Sequence, residues 1–367
     1  AGKGARVGCR RSGPSVTLTP FAPSAANRAD ADTIQDKVVS PIRVLLLADE
    51  ASQSKYRQNI ASFQCYAELQ AYELEVLSIS PTCKSSTTGF FFQKHCVVHE
   101  RMLASTETKW FMVLDADNAV VNPNHRIEDY IDESKDVVHY LRFHNNEVMA
   151  GGYIVRNTEW GRNYVKEWFG LHPGAKEQHG YSGMNADNGA LHWLLLHRLA
   201  SPTTPGWKAC EDVGRTGRDY SAFVTCFHQV VGRTNCAGED WPRVRILPHG
   251  TAWSYDGWVT HYKWGEHTFM HHAMKNPPIS SHNGRLMPTF ECSTFWKRTD
   301  KYRVNEQDLV REFRASKVHE RAKHHRQGWD ETSCVQTEER TNGVTSFLPT
   351  QNSREPKATK GGGLGVF

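Results

Sequence analysis

Two carboxylates at the end of an apolar run carry the most specific chemistry in this sequence. The run is Phe111-Met-Val-Leu-Asp115-Ala-Asp117, followed by Asn118-Ala-Val-Val-Asn122-Pro123. In extended chain, residues i and i+2 point the same way, so Asp115 and Asp117 can face one divalent cation. Hard carboxylate oxygens suit Mn²⁺ or Mg²⁺. Such an ion can offset the charge of a diphosphate leaving group. The plainer reading is that Asp-x-Asp recurs by chance and caps turns. The apolar strand before the pair and the Asn122-Pro123 stop after it favour the functional reading. A phosphatase working through an aspartyl-phosphate also uses a strand ending in Asp-x-Asp. There the pair sits on the first core strand, with Thr or Val two residues after the second Asp. Here it sits on the third candidate strand, and Asn118 and Ala119 follow.

Strands and helices in alternation must position these side chains. Ile42–Ala48 is a continuous apolar run, as expected of a strand covered on both faces, with Asp49 and Glu50 at its carboxyl end. Ser54–Leu69 carries apolar residues at helical spacing. Leu74–Ile79 reads as a second strand, Phe92–Leu103 as a helix, and Trp110–Leu114 as the strand that delivers Asp115. Asp136–Arg142 and Gly152–Arg156 read as further strands, Trp160–Phe169 and Asn188–Leu199 as helices. This order predicts an α/β fold built on a mixed, mainly parallel sheet flanked by helices on both faces. Ligands of such sheets bind beyond the carboxyl ends of the strands. Asp49, Asp115 and Asp117 fall on that rim.

A length of 367 residues suits one large α/β domain or two modest ones. The formal net charge of +4 is close to neutral for this length and disfavours a dedicated nucleic-acid or other polyanion-binding protein. The basic stretch Lys317–Arg326 reads as a solvated helix. No apolar run approaches the roughly 18 residues that span a bilayer, so no transmembrane segment is expected in this chain. It begins at Ala1 without a signal-like region, as expected if a leader or anchor has been removed or the chain is a fragment. Residues 1–38 and 333–367 read as a disordered arm and tail, residues 301–332 as a helical extension, and residues 39–300 as the domain. The nine cysteines include no C-x-x-C, which removes the main support for a zinc ribbon. Cys210, Cys226 and Cys236 crowd into one stretch, where a disulfide and buried thiols are both open readings.

Six segments, taken in order, resemble the nematode-expanded glycosyltransferase-like family related to the α-galactosyl-, mannosyl- and xylosyltransferases of the GT-A superfamily. They are Phe92-Gln-Lys-His95-Cys96, Leu114-Asp-Ala-Asp117 with Val121-Asn-Pro123, Ala150-Gly-Gly-Tyr-Ile-Val-Arg156-Asn157, Ala186-Asp187-Asn188-Gly189, Trp253-Ser-Tyr-Asp256-Gly-Trp258 and Phe269-Met-His-His272-Ala-Met-Lys275. Together they cover roughly residues 42–280. Two positions depart from the family pattern: Tyr255 stands where Arg is expected and Met274 where Trp is expected.

The resemblance implies a GT-A fold and a metal-dependent transferase. It would move a hexose or pentose from a nucleotide-diphosphate sugar, UDP-linked, to a glycan or glycoprotein acceptor with retention. It also implies a Golgi or other secretory setting. On the matching positions His272, with His271 close behind, completes the Mn²⁺ or Mg²⁺ site begun by Asp115 and Asp117. Lys275 contacts the diphosphate. Asp49 and Lys94 are further donor-side candidates, although a solvated helix face is the default for Lys94 and its neighbour His95. Asp187 and Asn188 orient the donor sugar, the amide carbonyl of Asn188 facing the developing oxocarbenium. A helix cap is the competing reading, and one of the two is expected to cap. An inverting mechanism would instead need a carboxylate base. Asp256 between Trp253 and Trp258 is the candidate, against a buried structural Asp in a turn. Gly151 and Gly152 read as a turn into a strand. Trp253, Trp258, Trp264 and Tyr262 are either an acceptor groove or core packing. A zinc pair from His267 and His271 lacks a supporting third ligand. The rival functions are a catalytically degenerate carbohydrate-binding protein on the same fold and a metal-dependent phosphohydrolase.

Overall fold

The structure is a computed structural model that describes residues 41–142, 145–231, 239–274, 281–282, 285–286, 292–305, 307–309 and 311. The expected arm (1–38), the tail (333–367), the basic stretch Lys317–Arg326 and the candidate Lys275 lie outside the described residues.

The chain opens with β1 (Ile42–Leu47), α1 (Glu50–Lys55), α2 (Arg57–Gln70), β2 (Glu73–Leu77), α3 (Pro81–Ser86), α4 (Phe90–Ala104) and β3 (Trp110–Asp115). Then come β4 (Ala119–Val120), β5 (Val137–Tyr140), β6 (Gly152–Arg156), α5 (Glu159–Gly170), α6 (Lys176–His179) and α7 (Ala186–Leu199). The last elements used below are α8 (Trp207–Thr216), α9 (Tyr220–Val230), β7 (Glu239–Asp240), β8 (Val244–Leu247), β9 (Ser254–Asp256) and β10 (Met270–His272).

Among the described residues, seven strands form the main sheet in the order β2-β1-β3-β6-β5-β8-β7. β1 runs parallel to β2 and β3, and β5 parallel to β8, while β6 and β7 run against their neighbours. The sheet is therefore mixed and mainly parallel, as the element order predicts. Alternate residues of β1 and β3 divide between two cores. Val44, Leu46, Met112 and Leu114 pack with Ile60, Phe63 and Tyr66 of α2. Leu45, Leu47, Phe111 and Val113 pack on the other face with residues of α4, α5, α7 and α9. Burial on both faces explains why these strands read as unbroken apolar runs.

The predicted helix Ser54–Leu69 is two helices. Asp49 caps α1, accepting from the Ser52 backbone N–H at 2.8 Å. The chain then breaks at Tyr56, and α2 ends on Ala71 in the left-handed region, φ 59°. A second, three-stranded sheet, β4-β10-β9, lies against the main one and was not visible in the sequence pattern. β10 pairs antiparallel with β4 and parallel with β9, bringing His272 opposite Asp256.

Disulfides link Cys65 to Cys292, Cys83 to Cys96, and Cys210 to Cys226. Cys236 lies outside the described residues. No helix among the described residues is long and apolar enough to cross a membrane.

Candidate functional site

A cavity of about 440 Å³ opens beyond the carboxyl end of β3, lined by Asp115, Asp117, His272, Lys94, Asp187 and Asn188 together with Arg142, Gly151 and two aromatics. Asp115 ends the strand, its backbone N–H bonded to Gly151 O at 2.9 Å. Asp117 sits in the turn that follows. Asn118 braces this turn, donating to Asp115 O at 2.9 Å and accepting from the Ser254 hydroxyl at 3.0 Å. The Met274 backbone N–H donates to Asp117 O at 2.8 Å and ties the end of β10 to the same turn.

This locking brings Asp115, Asp117 and His272 together, with one ligand atom of each within 4.8 Å of the others. His272 Nδ1–H donates to Asp256 Oδ1 at 2.8 Å. That leaves Nε2 lying 3.5 Å from Asp117 Oδ1. Burial works against a proton on His272, but the bond to Asp256 and the charge of Asp117 outweigh it and hold its pKa above the ordinary value. Asp117 Oδ1 is buried and has no hydrogen-bond partner among the described residues. A buried carboxylate oxygen in that state is costly unless a cation meets it. Two carboxylates and an imidazole whose far nitrogen is bonded to a third carboxylate form a donor set that fits Mn²⁺, and less specifically Mg²⁺. His271, one residue back, points to the opposite face of β10 and is buried beside Tyr262.

Lys94 is not on a solvated face. Its side chain is 2% exposed, and Nζ lies 2.9 Å from Asp115 Oδ1 and 2.8 Å from Asp187 Oδ2. Burial disfavours its charge, but the two carboxylates more than offset this and raise its pKa. Burial likewise pushes Asp187 up, and Lys94 and His95 overcome it, bringing Asp187 down to about 2. Asp115 goes the other way: burial and the nearby Asp117 and Asp187 charges raise it despite Lys94. His95 is buried as well, stacked on Trp168 with ring centroids 3.8 Å apart. Its Nε2 bonds Asp187 at 3.2 Å and its Nδ1 the Tyr153 hydroxyl at 3.1 Å.

Neither Asp187 nor Asn188 caps α7. The N-cap is Asn185, in the left-handed region at φ 54°, and its side chain makes no capping bond. It donates instead to Glu147 at 2.8 Å. Asp187 is turned inward to Lys94, and Asn188 Oδ1 accepts from the Ala150 backbone N–H at 3.1 Å. The expected free carbonyl of Asn188 is thus already engaged.

The turn at Gly151 has a steric purpose. A Cβ there would lie 2.6 Å from Asp115 Oδ2 and 2.4 Å from Met149 Cε.

Asp256 is 5% exposed and does not line the cavity. It takes a two-pronged bond from Arg142, Nε to Oδ2 at 3.1 Å and Nη2 to Oδ1 at 2.8 Å, besides the bond from His272. That corrects its expected place: it stands behind His272 rather than facing the cavity. Asp49, the α1 cap, is likewise not among the cavity-lining residues. Of the expected aromatic groove, Trp253 and Trp264 are buried in the core and only Trp258, 41% exposed, reaches the cavity. Phe91, 50% exposed, lines it from α4. Phe91, Arg142 and Glu147 are not among the candidates that the sequence pattern singles out. The available signal for Arg142 was a lone cation just past the carboxyl end of a buried strand.

Fold and site thus define a mixed α/β domain with a cavity at its strand ends where Asp115, Asp117 and Asp187 meet Lys94, Arg142 and His272. The chain belongs to the family described as "Protein of unknown function, DUF273", which it matches over residues 63–287. No curated protein matches it in sequence. Among solved structures it is similar to a glycosyltransferase involved in glycosylation of the major capsid of PBCV-1, at 12% identity over 71% of this chain and 98% of the other, TM-score 0.40. It is also similar to the galactosyltransferase LgtC in complex with donor and acceptor sugar analogues, at 11% identity over 52% and 95%, TM-score 0.29. A third is a Drosophila galactosyltransferase 7 mutant in complex with manganese, UDP-Gal and xylobiose, at 14% identity over 42% and 59%, TM-score 0.28.

Proposed function

We propose that this chain is a metal-dependent glycosyltransferase of GT-A type, moving a hexose or pentose from a UDP-sugar to a hydroxyl of a glycan or glycoprotein. The observation that carries the reading is the convergence of Asp115, Asp117 and His272 at the strand ends, where the buried Oδ1 of Asp117 has no hydrogen-bond partner among the described residues. These three side chains would hold Mn²⁺ or Mg²⁺, which when bound would supply charge neutralisation for a diphosphate leaving group. Lys94 fixes Asp115 and Asp187 on the cavity wall and keeps Asp187 charged. Asp187 and Asn188 line the side of the cavity assigned to the donor sugar, with the carbonyl of Asn188 taken by the Ala150 N–H. In the retaining course, the bond from the sugar carbon to the β-phosphate oxygen breaks while the acceptor oxygen bonds that carbon on the same face. The acceptor proton passes to the departing phosphate oxygen, so no protein base is required. Asp256 is held by Arg142 and His272, which weighs against its serving as an inverting base. Trp258 and Phe91 are exposed aromatic side chains at the cavity, of the kind against which a sugar or base packs. The three disulfides among the described residues support an oxidising secretory compartment such as the Golgi lumen.

The test is calorimetric titration with UDP in the presence and absence of Mn²⁺. UDP binding that requires Mn²⁺ supports the reading. Equal binding with and without the metal, or none in either case, contradicts it.

A further inference from the structure

We infer that Arg142 is a positioning residue for the cation site, acting through Asp256 on His272. The inference rests on the metal reading of Asp115, Asp117 and His272 given above. Arg142 follows β5 and forks between two buried carboxylates. It grips Asp256 with Nε and Nη2, and Nη1 donates to Glu147 Oε2 at 2.7 Å. Glu147, with a side chain 2% exposed, is itself fixed by Asn145, Asn185 and Tyr220. The guanidinium is therefore anchored from behind by a residue that also holds the start of α7. A planar fork sets the plane of the carboxylate it grips, which a lysine cannot do. The carboxylate so fixed presents Oδ1 to His272 Nδ1 at 2.8 Å, and this bond selects the tautomer that leaves Nε2 lying toward Asp117. Outer partners of this kind orient a metal-binding histidine, and their loss typically weakens metal binding by about tenfold to a hundredfold.

Two roles for Arg142 have opposite signs. As a mere charge beside a cation site it repels the ion, so its removal would tighten binding. As a positioning residue it orders the ligand, so its removal loosens binding. Without Arg142, Asp256 loses the fork that sets its plane, and the bond that orients His272 is no longer fixed.

The experiment measures Mn²⁺ binding alone, by electron paramagnetic resonance on the full chain without nucleotide. Arg142→Met is expected to weaken binding at least tenfold and Asp256→Asn by a similar factor. The double variant should be no weaker than the worse single one, because the two act in series. Arg142→Lys, which keeps the charge without the fork, should still bind several-fold more weakly than wild type. Unchanged or tighter binding in Arg142→Met, or losses that multiply in the double variant, would overturn the inference. If Arg142→Met does not fold, Arg142→Lys decides it: weaker binding supports the relay, and unchanged binding overturns it. A wild-type chain that binds no Mn²⁺ overturns the metal reading itself. Wild-type binding with indifferent variants overturns only the role of Arg142.

Discussion

Lys94 and Asp187 form a buried ion pair, Nζ to Oδ2 2.8 Å apart, with side chains 2% and 3% exposed. The same Nζ also pairs with Asp115. A cation so placed holds two carboxylates of the cavity wall together. Breaking a buried pair by removing one member leaves an uncompensated charge and costs about 3–5 kcal/mol. Lys94→Met should therefore lower the unfolding free energy by about that much. Chemical denaturation would read it. A change below about 1 kcal/mol would show that water reaches the pair and that burial is not what makes it matter.

Asp117 should behave in the opposite way. Its buried Oδ1 has no hydrogen-bond partner among the described residues and lies 3.5 Å from His272 Nε2, so neutralising it removes a long ion pair rather than a hydrogen bond. Asp117→Asn is expected to leave stability within about 0.5 kcal/mol of wild type or to raise it, while Mn²⁺ binding falls below detection. Thermal unfolding without metal, set beside metal titration, separates the two effects. A strongly destabilised variant would make Asp117 a structural residue.

Gly151 lies where the backbone must pass close to Asp115. Gly151→Ala places a methyl against Asp115 Oδ2 and the Met149 side chain. Met149 can shift, but Asp115 is held by Lys94. Crowding of this kind costs about 1–3 kcal/mol, and here it also displaces a cation ligand. Mn²⁺ affinity should fall together with stability. Metal binding equal to wild type would show that Asp115 yields freely.

Acid should weaken the fold through two buried histidines away from the cation site. Burial lowers His139 to about 3 and His192 to about 4, from an ordinary 6.5. His192 is set as a neutral ring: Nδ1–H donates to Asn188 O at 2.8 Å and Nε2 accepts from the Val148 N–H at 3.1 Å. Between pH 6.5 and about 4 the unfolded chain binds protons that the native rings refuse. Stability is thus fully present above that window and falls as pH drops through it, by up to about 1.4 kcal/mol per pH unit for each group. Denaturation at pH 7 and pH 5 should differ accordingly, and His192→Gln should flatten the dependence. Equal slopes in wild type and variant would assign the acid sensitivity elsewhere.

Much of the main sheet was legible because its strands are buried on both faces and announce themselves as apolar runs. The place of Asp115 and Asp117 at the strand end was legible for the same reason, since they follow directly on the buried apolar run of β3. Lys94 was misjudged because nothing local distinguishes a lysine that pairs with a carboxylate far along the chain from one that meets water; only the folded contact with Asp187 does so. The capping role expected near 187–188 failed because the tertiary demand of Lys94 and Ala150 for those side chains outweighed the local preference of a helix start. β9 and β10 are three residues each, too short to show a period. Arg142 and Glu147 gain meaning only through partners that the fold brings from distant parts of the sequence.

The measurement that bears most directly on the whole reading is release of UDP from a panel of UDP-sugars, followed with added Mn²⁺ and again after chelation. We expect at least one sugar to be turned over with Mn²⁺, silenced by the chelator and silenced by Asp117→Asn. Turnover that survives both chelation and Asp117→Asn would contradict the account, and so would a panel left intact by a chain shown to bind the ion.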